Sequence, residues 1–515
     1  MRNRLPIVLC CVLAATAAAQ SVYNSTPDWI SSDTPISTGA ALVDLDRDGW
    51  LDLVVSNGND MRREPVAVYY NQGDGTFPPT PDWQSNDIFY NGHLDVADVN
   101  GDGWPDVAVA HLGTGGTFAP IARVYLNNNG TLSSTPDWSA DVTGNAFGVA
   151  FGDMNNDGWP DLAVATGWSY SPQRYYNNCV YLNVGGALEA TPSWASDDTD
   201  HCMGAAWVDA DDDGWLDLAF AGSLYRSRIY RNLGGTLETT ASWHAADLSS
   251  PDMIMVTGGD VTGDDLPDII LADNNQVGGG SGRFRQYDGQ PDAMPESSAS
   301  WTYFDGYCSA VALVDVDADG DLDLATGAWW DRTRLFFNDG SGFGSSPDWS
   351  SGVTSVVEKI VFGDIDNNAL HEASETFVGD GQRKLFYLSR RQIQQVDSID
   401  IDGLDEDFDY TYSREHGWIT VEQAPQDYLE VRYTHSNRLD MAITNWDDGV
   451  GNYVYYNQLG CAGDLDGDGD TDQADLGILL ADWGCTGGNC PGDLDGDGNT
   501  DQADLGILLA DWNCP

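Results

Sequence analysis

An acidic loop returns along this chain about every 50–55 residues, a spacing typical of solenoid units and propeller blades. The first copy places Asp44, Asp46 and Asp48 before Gly49 and closes with Asp52. The second reads Asp98, Asn100, Asp102, Gly103, Asp106, and the third Asp153, Asn155, Asp157, Gly158, Asp161. The fourth is Asp209, Asp211, Asp213, Gly214, Asp217. A weaker fifth copy has Asp260, Thr262, Asp264 and Asp268, with Asp265 in the glycine place. The sixth is complete, at Asp315, Asp317, Asp319, Gly320 and Asp323. The seventh is degenerate: Asp364, Asp366, Asn368 and Glu372, with Ala369 where glycine stands elsewhere.

The flanks repeat as well. An apolar run such as Gly148–Phe151 precedes each loop, and another such as Leu162–Ala165 follows. An aromatic segment ending in Asn comes next, as in Val124–Asn127 and Val180–Asn183. A Thr-Pro-Asp-Trp marker or a relative then ends at Trp29, Trp83, Trp138, Trp194, Trp243, Trp301 and Trp349. Short β-rich segments separated by Gly, Asn and Asp read as strands and turns. Four per repeat is the content of one propeller blade, so the expected fold is an all-β propeller over residues 20–458. The first Trp marker precedes the first loop, while Leu439–Ile443 and Tyr453–Asn457 resemble second and third strands with no marker after them. The strand around Trp29 is therefore expected in the last blade, closing the ring and removing exposed edges. Seven loops plus a further inner strand near Val431 give eight blades, favoured over seven. Residues 396–426 fit no blade and read as an inserted hairpin.

Carboxylates at loop positions 1, 3, 5 and 9 converge on one point when the loop curls. Glycine at position 6 permits the turn, and a carbonyl at position 7 adds a ligand. Such hard oxygen donors suit calcium. Without a cation the clustered carboxylates repel one another. Six recognisable copies on one period argue against a series of merely solvated turns. The fifth and seventh copies depart from the pattern, and no ion is expected at the unit near Val431.

These loops resemble the FG-GAP or VCBS repeats found in integrin α-chain propellers, a resemblance covering about Val22 to Gln458. It implies a propeller with calcium held between the first and second strands of each blade. It implies little about activity, because one scaffold carries many functions. Most of the 19 Trp fall at repeat positions, either the marker or just after the loop glycine as at Trp50, Trp104, Trp159 and Trp215, which points to blade packing. Trp168, Trp329 and Trp330 are irregular and are placed to line a binding face.

The C-terminal residues 461–515 hold two near-identical units. One runs through Asp464, Asp466, Asp468, Asp470, Asp472 and Asp475; the other through Asp493, Asp495, Asp497, Asn499, Asp501 and Asp504. Oxygen donors at positions 1, 3, 5, 7, 9 and 12 with Gly at 6 make an EF-hand-like calcium loop. A short helix follows each, with Leu476, Leu479, Leu480 and Trp483 spaced for one face. The pair resembles a type I dockerin, although Thr471 and Thr500 stand where that family has an aliphatic residue. The resemblance implies a cohesin-like partner, selected in part by Gln473, Ala474, Gln502 and Ala503. A calcium-stabilised cap without a partner is the plainer alternative. Cys461 and Cys485 bracket one unit and Cys490 and Cys514 the other; Cys179 and Cys202 are placed to pair, leaving Cys308 free, with connectivity open.

Arg2, Arg4, the apolar stretch Leu5–Ala18 and the small residues Ala17–Ala19 read as a signal peptide over residues 1–19, so the protein is expected to be secreted or held at the cell surface. No later stretch is long enough to span a membrane. A formal net charge of -60 argues against nucleic acid and anionic membrane surfaces as partners. There is no nucleophile elbow, His-rich zinc motif or phosphate loop. The reading is a calcium-binding propeller for adhesion, taking a polysaccharide or a cell-surface protein. The rival is a calcium-dependent polysaccharide lyase or glycoside hydrolase.

Overall fold

The computed structural model describes residues 21–113, 119–167, 176–246, 252–277, 281–340, 342–403 and 409–459, and of the remainder 463, 465, 471, 473–486, 490–494 and 498–510. The expected signal peptide, Trp168, Cys461, Cys514, Asp464, Asp466, Asp468, Asp470, Asp472, Asp495 and Asp497 lie outside the described residues.

Seven strands line the axis: Ser37–Val43, Asn91–Ala97, Ala146–Gly152, Cys202–Val208, Met253–Gly259, Cys308–Val314 and Ser355–Gly363. Each touches the next in that order, and the last touches the first, so the ring is closed. The runs are apolar on both faces because each blade is sandwiched between two others, and nearly every residue in them is buried. Each inner strand opens an antiparallel four-stranded blade; the first continues through Asp52–Gly58, Arg63–Tyr69 and Trp83–Gln84. In the seventh, Ser355–Gly363 pairs with Asp440–Asn445, then Tyr453–Tyr455, then Trp29–Ile30, with Trp29 opposite Val454. The N-terminal strand thus closes the ring, as its sequence phase indicated.

The expected eighth blade does not form. Val431 lies in Tyr428–Ser436, which pairs with Leu370–Val378 on one side and Gln395–Ile401 on the other. Its alternation of buried and half-exposed residues is that of a strand with one wet face, unlike the doubly buried axial strands. The hairpin expected at 396–426 is part of this larger insertion, which runs from Leu370 to Ser436 between the first two strands of blade seven. A second sheet in it joins Leu385–Tyr387, Trp418–Val421 and Tyr410–Tyr412.

The marker tryptophans are blade-to-blade packing, as their regular spacing suggested. Each begins a fourth strand, and most lie edge to face against an aromatic of the next blade. Trp138 meets Tyr181 at 5.1 Å, Trp194 meets Tyr230 at 5.2 Å, and Trp29 meets Tyr69 at 5.5 Å. Trp349 meets Tyr455 at 5.6 Å. Such pairs add about 0.5–1.5 kcal/mol each beyond area burial.

Cys179, Cys202 and Cys308 are free and buried. The expected Cys179–Cys202 bond is absent because the two belong to cores on opposite sides of one blade. Cys202 Sγ instead accepts from Asn178 Nδ2 at 3.2 Å. Near the C-terminus, helices Gln473–Ala481 and Gln502–Ala510 touch, and Cys485 bonds to Cys490. Only part of the predicted helix face is inside: Leu479 and Leu508 are buried, whereas Leu480, Leu509 and Trp483 are exposed. No described helix is long and apolar enough to cross a membrane.

Candidate metal centres

The acidic loops connect the first and second strands of the blades, so all of them stand on one face of the ring. The first six are held by the same three anchors, and the seventh by the first and third of them. The position-1 carboxylate accepts from backbone N–H groups across the turn: Asp44 from Asp48 at 3.1 Å and Gly49 at 3.0 Å, Asp209 from Asp213 at 3.0 Å and Gly214 at 2.8 Å. The position-5 carboxylate accepts from the N–H two residues on, as Asp157 does from Trp159 at 3.0 Å. The position-9 carboxylate ties the loop to the sheet: Asp106 accepts from Val99 at 3.0 Å and from Asn127 at 2.7 Å, and Asp161 from Met154 at 2.9 Å and Asn183 at 2.7 Å.

Six of the loops turn through two left-handed residues, and the seventh through one, Asn367. Position 6 is the expected glycine, at φ 92° in Gly49. Position 4 is left-handed too, at Arg47, Asn156, Asp212, Ala318 and Asn367, a requirement the glycine pattern did not disclose. Asp265 adopts φ 66°, so the fifth loop turns at position 6 without glycine, while Gly263 supplies the left-handed position 4.

The Asn that ends each third strand links neighbouring blades. Asn127 Nδ2 donates to Leu45 O at 2.8 Å, Asn183 to Val99 O at 2.7 Å, Asn232 to Met154 O at 2.8 Å and Asn71 to Ile365 O at 2.9 Å. Each acceptor is position 2 of the preceding blade's loop. Blade five has Gly289 at this place and lacks the link.

The structure gathers three carboxylates, with ligand oxygens within 4.8 Å of one another, at four loops. These are Asp44, Asp46 and Asp48; Asp209, Asp211 and Asp217; Asp315, Asp317 and Asp323; and Asp364, Asp366 and Asp440. The second and third loops, with Asn100 and Asn155 at position 3, and the fifth, with Thr262, form no such cluster among the described residues. Asp213 is drawn aside by Arg231, whose guanidinium reaches both Asp211 and Asp213. Arg390 of the insertion lies 3.1 Å from Asp315.

The seventh cluster corrects the sequence assignment. Glu372 is exposed and leads into the insertion, while Asp440, on the far side of that insertion, takes position 9. Asp440 accepts from Ile365 N and Asn457 N, both at 2.8 Å, in the geometry of the other position-9 residues. The sequence signal was present in the apolar Leu439–Ile443 run, which has an Asp at the head of a second strand as in every other blade.

The donor set fits a hard cation. Burial, joined by repulsion between neighbouring carboxylates, pushes Asp52 and Asp323 up to about 8 and Asp106 and Asp209 to about 7. Buried oxygens at Asp211, Asp315, Asp317 and Asp366 have no hydrogen-bond donor. Orphaned buried acceptors around a repelling cluster are what a divalent ion relieves. In the C-terminal units, Asp475 and Asp504 are buried and accept from Leu465 N and Leu494 N at 2.7 Å, and Asp493 carries an orphaned Oδ1. Thr500 is buried, and its backbone N–H donates to Cys485 O at 3.1 Å. Gln473, Ala474, Gln502 and Ala503 are exposed.

The insertion covers the axis on the loop face. A cavity of about 130 Å³ remains between it and the axial strands, bordered by Asp95, Lys359, Gln392, Glu415 and His416. Lys359 Nζ lies 3.4 Å from Glu415, and Asp95 accepts from Phe151 N at 2.7 Å.

A closed ring of antiparallel blades with an acidic loop on each defines a β-propeller with acidic inter-strand loops. Comparison with known proteins gives the repeat its family. The FG-GAP-like repeat matches residues 44–109, 112–164 and 209–271, so these stretches of the propeller are FG-GAP-like repeats. Integrin alpha-7 of Homo sapiens is 30% identical over 166 residues, covering 28% of this chain and 14% of that protein. Phosphatidylinositol-glycan-specific phospholipase D of Rattus norvegicus is 33% identical over 148 residues, covering 24% of this chain and 17% of its own length. The chain thus spans less than a fifth of either relative. Among solved structures, BBS1N in complex with ARL6DN aligns with TM-score 0.40 and 13% identity, over 79% of this chain and 98% of that one.

Proposed function

We propose that this is a secreted, calcium-stabilised binding propeller of seven blades. Its loop face holds metal, and its C-terminal pair serves as a dockerin-like attachment module for a cohesin-like partner. The observation that carries the reading is the repeated convergence of carboxylates on one face, with buried oxygens left without donors. Integrin alpha relatives support an adhesive role, taking a polysaccharide or a cell-surface protein. The rival lyase or hydrolase gains little from the axis. Its cavity of about 130 Å³ is no larger than one that holds a single benzene ring, and its Lys359 is already paired with Glu415. Ion counting by native mass spectrometry, paired with thermal unfolding in calcium and in chelator, tests the proposal. Release of several calcium ions with a lower midpoint in chelator is expected; an unchanged midpoint refutes it.

A further inference from the structure

The propeller face away from the acidic loops carries a continuous run of rings. Tyr307 and Trp330 meet edge to face at 5.3 Å. Trp330 stands 5.8 Å from Trp329, Trp329 5.7 Å from Trp446, Trp446 6.0 Å from Phe147, and Phe147 4.4 Å from His93. The run begins at the rim, between blades five and six, and ends at the axis. Its outer end is open to solvent: Trp330 is 61% exposed and Tyr307 38%, with Phe304 at 59% close by in sequence. Trp330 holds φ 59°, and Leu224 and Asn275 hold φ 66° and 62° at the same place in blades four and five, so the turn after the second strand sets this conformation and presents the ring outward.

The inner end supplies an independent observation. Every axial strand breaks register near its start, at Thr38, His93, Phe147, Met203, Ile254, Ser309 and Glu358 or the residue beside it. Thr38 and Ser309 spend their hydroxyls on backbone carbonyls. Glu358 does not saturate. It is fully buried, and one oxygen accepts from Trp329 Nε1 at 2.7 Å, while Oε1 has no partner. His93, 6% exposed, leaves Nε2 unpartnered 3.9 Å from that oxygen. Two orphaned polar atoms at the foot of a ring run call for a ligand with hydrogen-bonding edges.

Charge narrows the class. Arg334 is matched by Asp305 and Asp331, and Arg332 donates to Ser351 O at 3.1 Å, so these rim cations are committed. The chain's net charge of -60 repels polyanions. Neutral glycans present flat apolar sugar faces for stacking on rings, hydroxyl edges for hydrogen bonds, and no charge to be repelled. Resting on the binding-propeller reading above, we propose that this ring run is the binding site for an uncharged glycan. Its sugar faces lie on Trp330 and Tyr307, and its polar edge is directed along the run toward Glu358 and His93.

The test uses the full chain in calcium, with tryptophan fluorescence titration and affinity electrophoresis against xyloglucan, galactomannan, arabinoxylan, mixed-linkage β-glucan and, as the charged control, polygalacturonate. At least one neutral polymer should bind and polygalacturonate should not. Trp330→Ala and Tyr307→Ala should each weaken binding by about tenfold or more, with an unchanged unfolding midpoint. Trp483→Ala, in the C-terminal unit, should leave it intact. Failure to bind any of the four neutral polymers, while calcium still raises the midpoint, overturns the glycan site and leaves the calcium-propeller reading standing. Binding that survives both ring substitutions overturns it as well. So does concentration-dependent self-association abolished by Trp330→Ala, which would make the run a contact between copies.

Discussion

Asp440 is the residue whose replacement most directly tests how the seventh loop is built. In the structure it is fully buried, both its oxygens accept backbone N–H groups at 2.8 Å, and it stands with Asp364 and Asp366 in one cluster. Burial and the Asp366 charge push its carboxyl well above the usual range, so an ion there relieves a real repulsion. Asp440→Ala removes two buried hydrogen bonds to a charged acceptor, at about 1.5–3 kcal/mol each, for a total of about 3–6 kcal/mol. Asp440→Asn keeps one acceptor oxygen and should cost about half as much. Both should also lose one calcium ion, whose linkage contributes about 2.7 kcal/mol at a hundredfold excess over its dissociation constant. Glu372→Ala, on an exposed side chain, should change stability by no more than about 0.5 kcal/mol and leave the ion count intact. Denaturant unfolding in calcium and ion counting by native mass spectrometry read both quantities. An ion lost from Glu372→Ala but retained in Asp440→Asn would refute the assignment.

Three further outcomes follow from the same geometry. Asn127→Ala, which removes donors to Leu45 O and Pro105 O and the acceptor for Gly130 N, should cost about 2–3 kcal/mol by denaturant unfolding, and a change under about 0.5 kcal/mol would show that the inter-blade link is idle. Deleting residues 22–30 removes the strand paired with Tyr453–Tyr455 and exposes two sheet edges; sedimentation should show aggregation, and a monomer of equal stability would overturn the closure. Burial raises Glu358 from its ordinary carboxylate value to about 8, so the folded state holds a proton that the unfolded state releases. Its contribution to stability should therefore fall by up to about 1.4 kcal/mol per unit as pH rises from about 4.5 to 8, and Glu358→Gln should flatten that part of the unfolding profile, a wild-type slope in the variant counting against it.

The regular part of the fold was legible because it is repeated. Period, strand content, the position of the N-terminal strand and the packing role of the marker tryptophans all follow from residues that recur at one spacing. The insertion was misjudged because it interrupts that spacing at its least regular point. A loop that lacks its glycine and ends in Glu372 looks degenerate when read along the chain. Only the sheet shows that Asp440 completes it, since position 9 is defined by pairing with the strand at Tyr453–Tyr455 and not by counting from position 1. The alternation in Tyr428–Ser436 carried the missed signal, because an axial strand has no wet face to alternate with. Glu358 and His93 were out of reach for a different reason. They stand on blades seven and two, and only ring closure brings them within 3.9 Å.

The position of the insertion has a mechanical consequence. It enters and leaves through the seventh loop, and its own side chains reach other blades: Arg390 to Asp315 and Lys384 Nζ to Asn156 O at 3.0 Å in their acidic loops, and Arg391 to Gly258 O at 3.1 Å in an axial strand. Arg390 touches a carboxylate that would hold an ion, so cation and guanidinium are alternatives at the sixth loop. Each loop is also tied to the next blade through the Asn links, except at Gly289. On the proposed reading, metal on the loop face would bear on two things together, the seating of the insertion over the axis and the registry of neighbouring blades. The ring run on the other face depends on that registry, because Trp330, Trp446, Phe147 and His93 come from four different blades. On the proposed reading, calcium would in this way support a binding face it never touches, by fixing the relative positions of blades whose side chains act together.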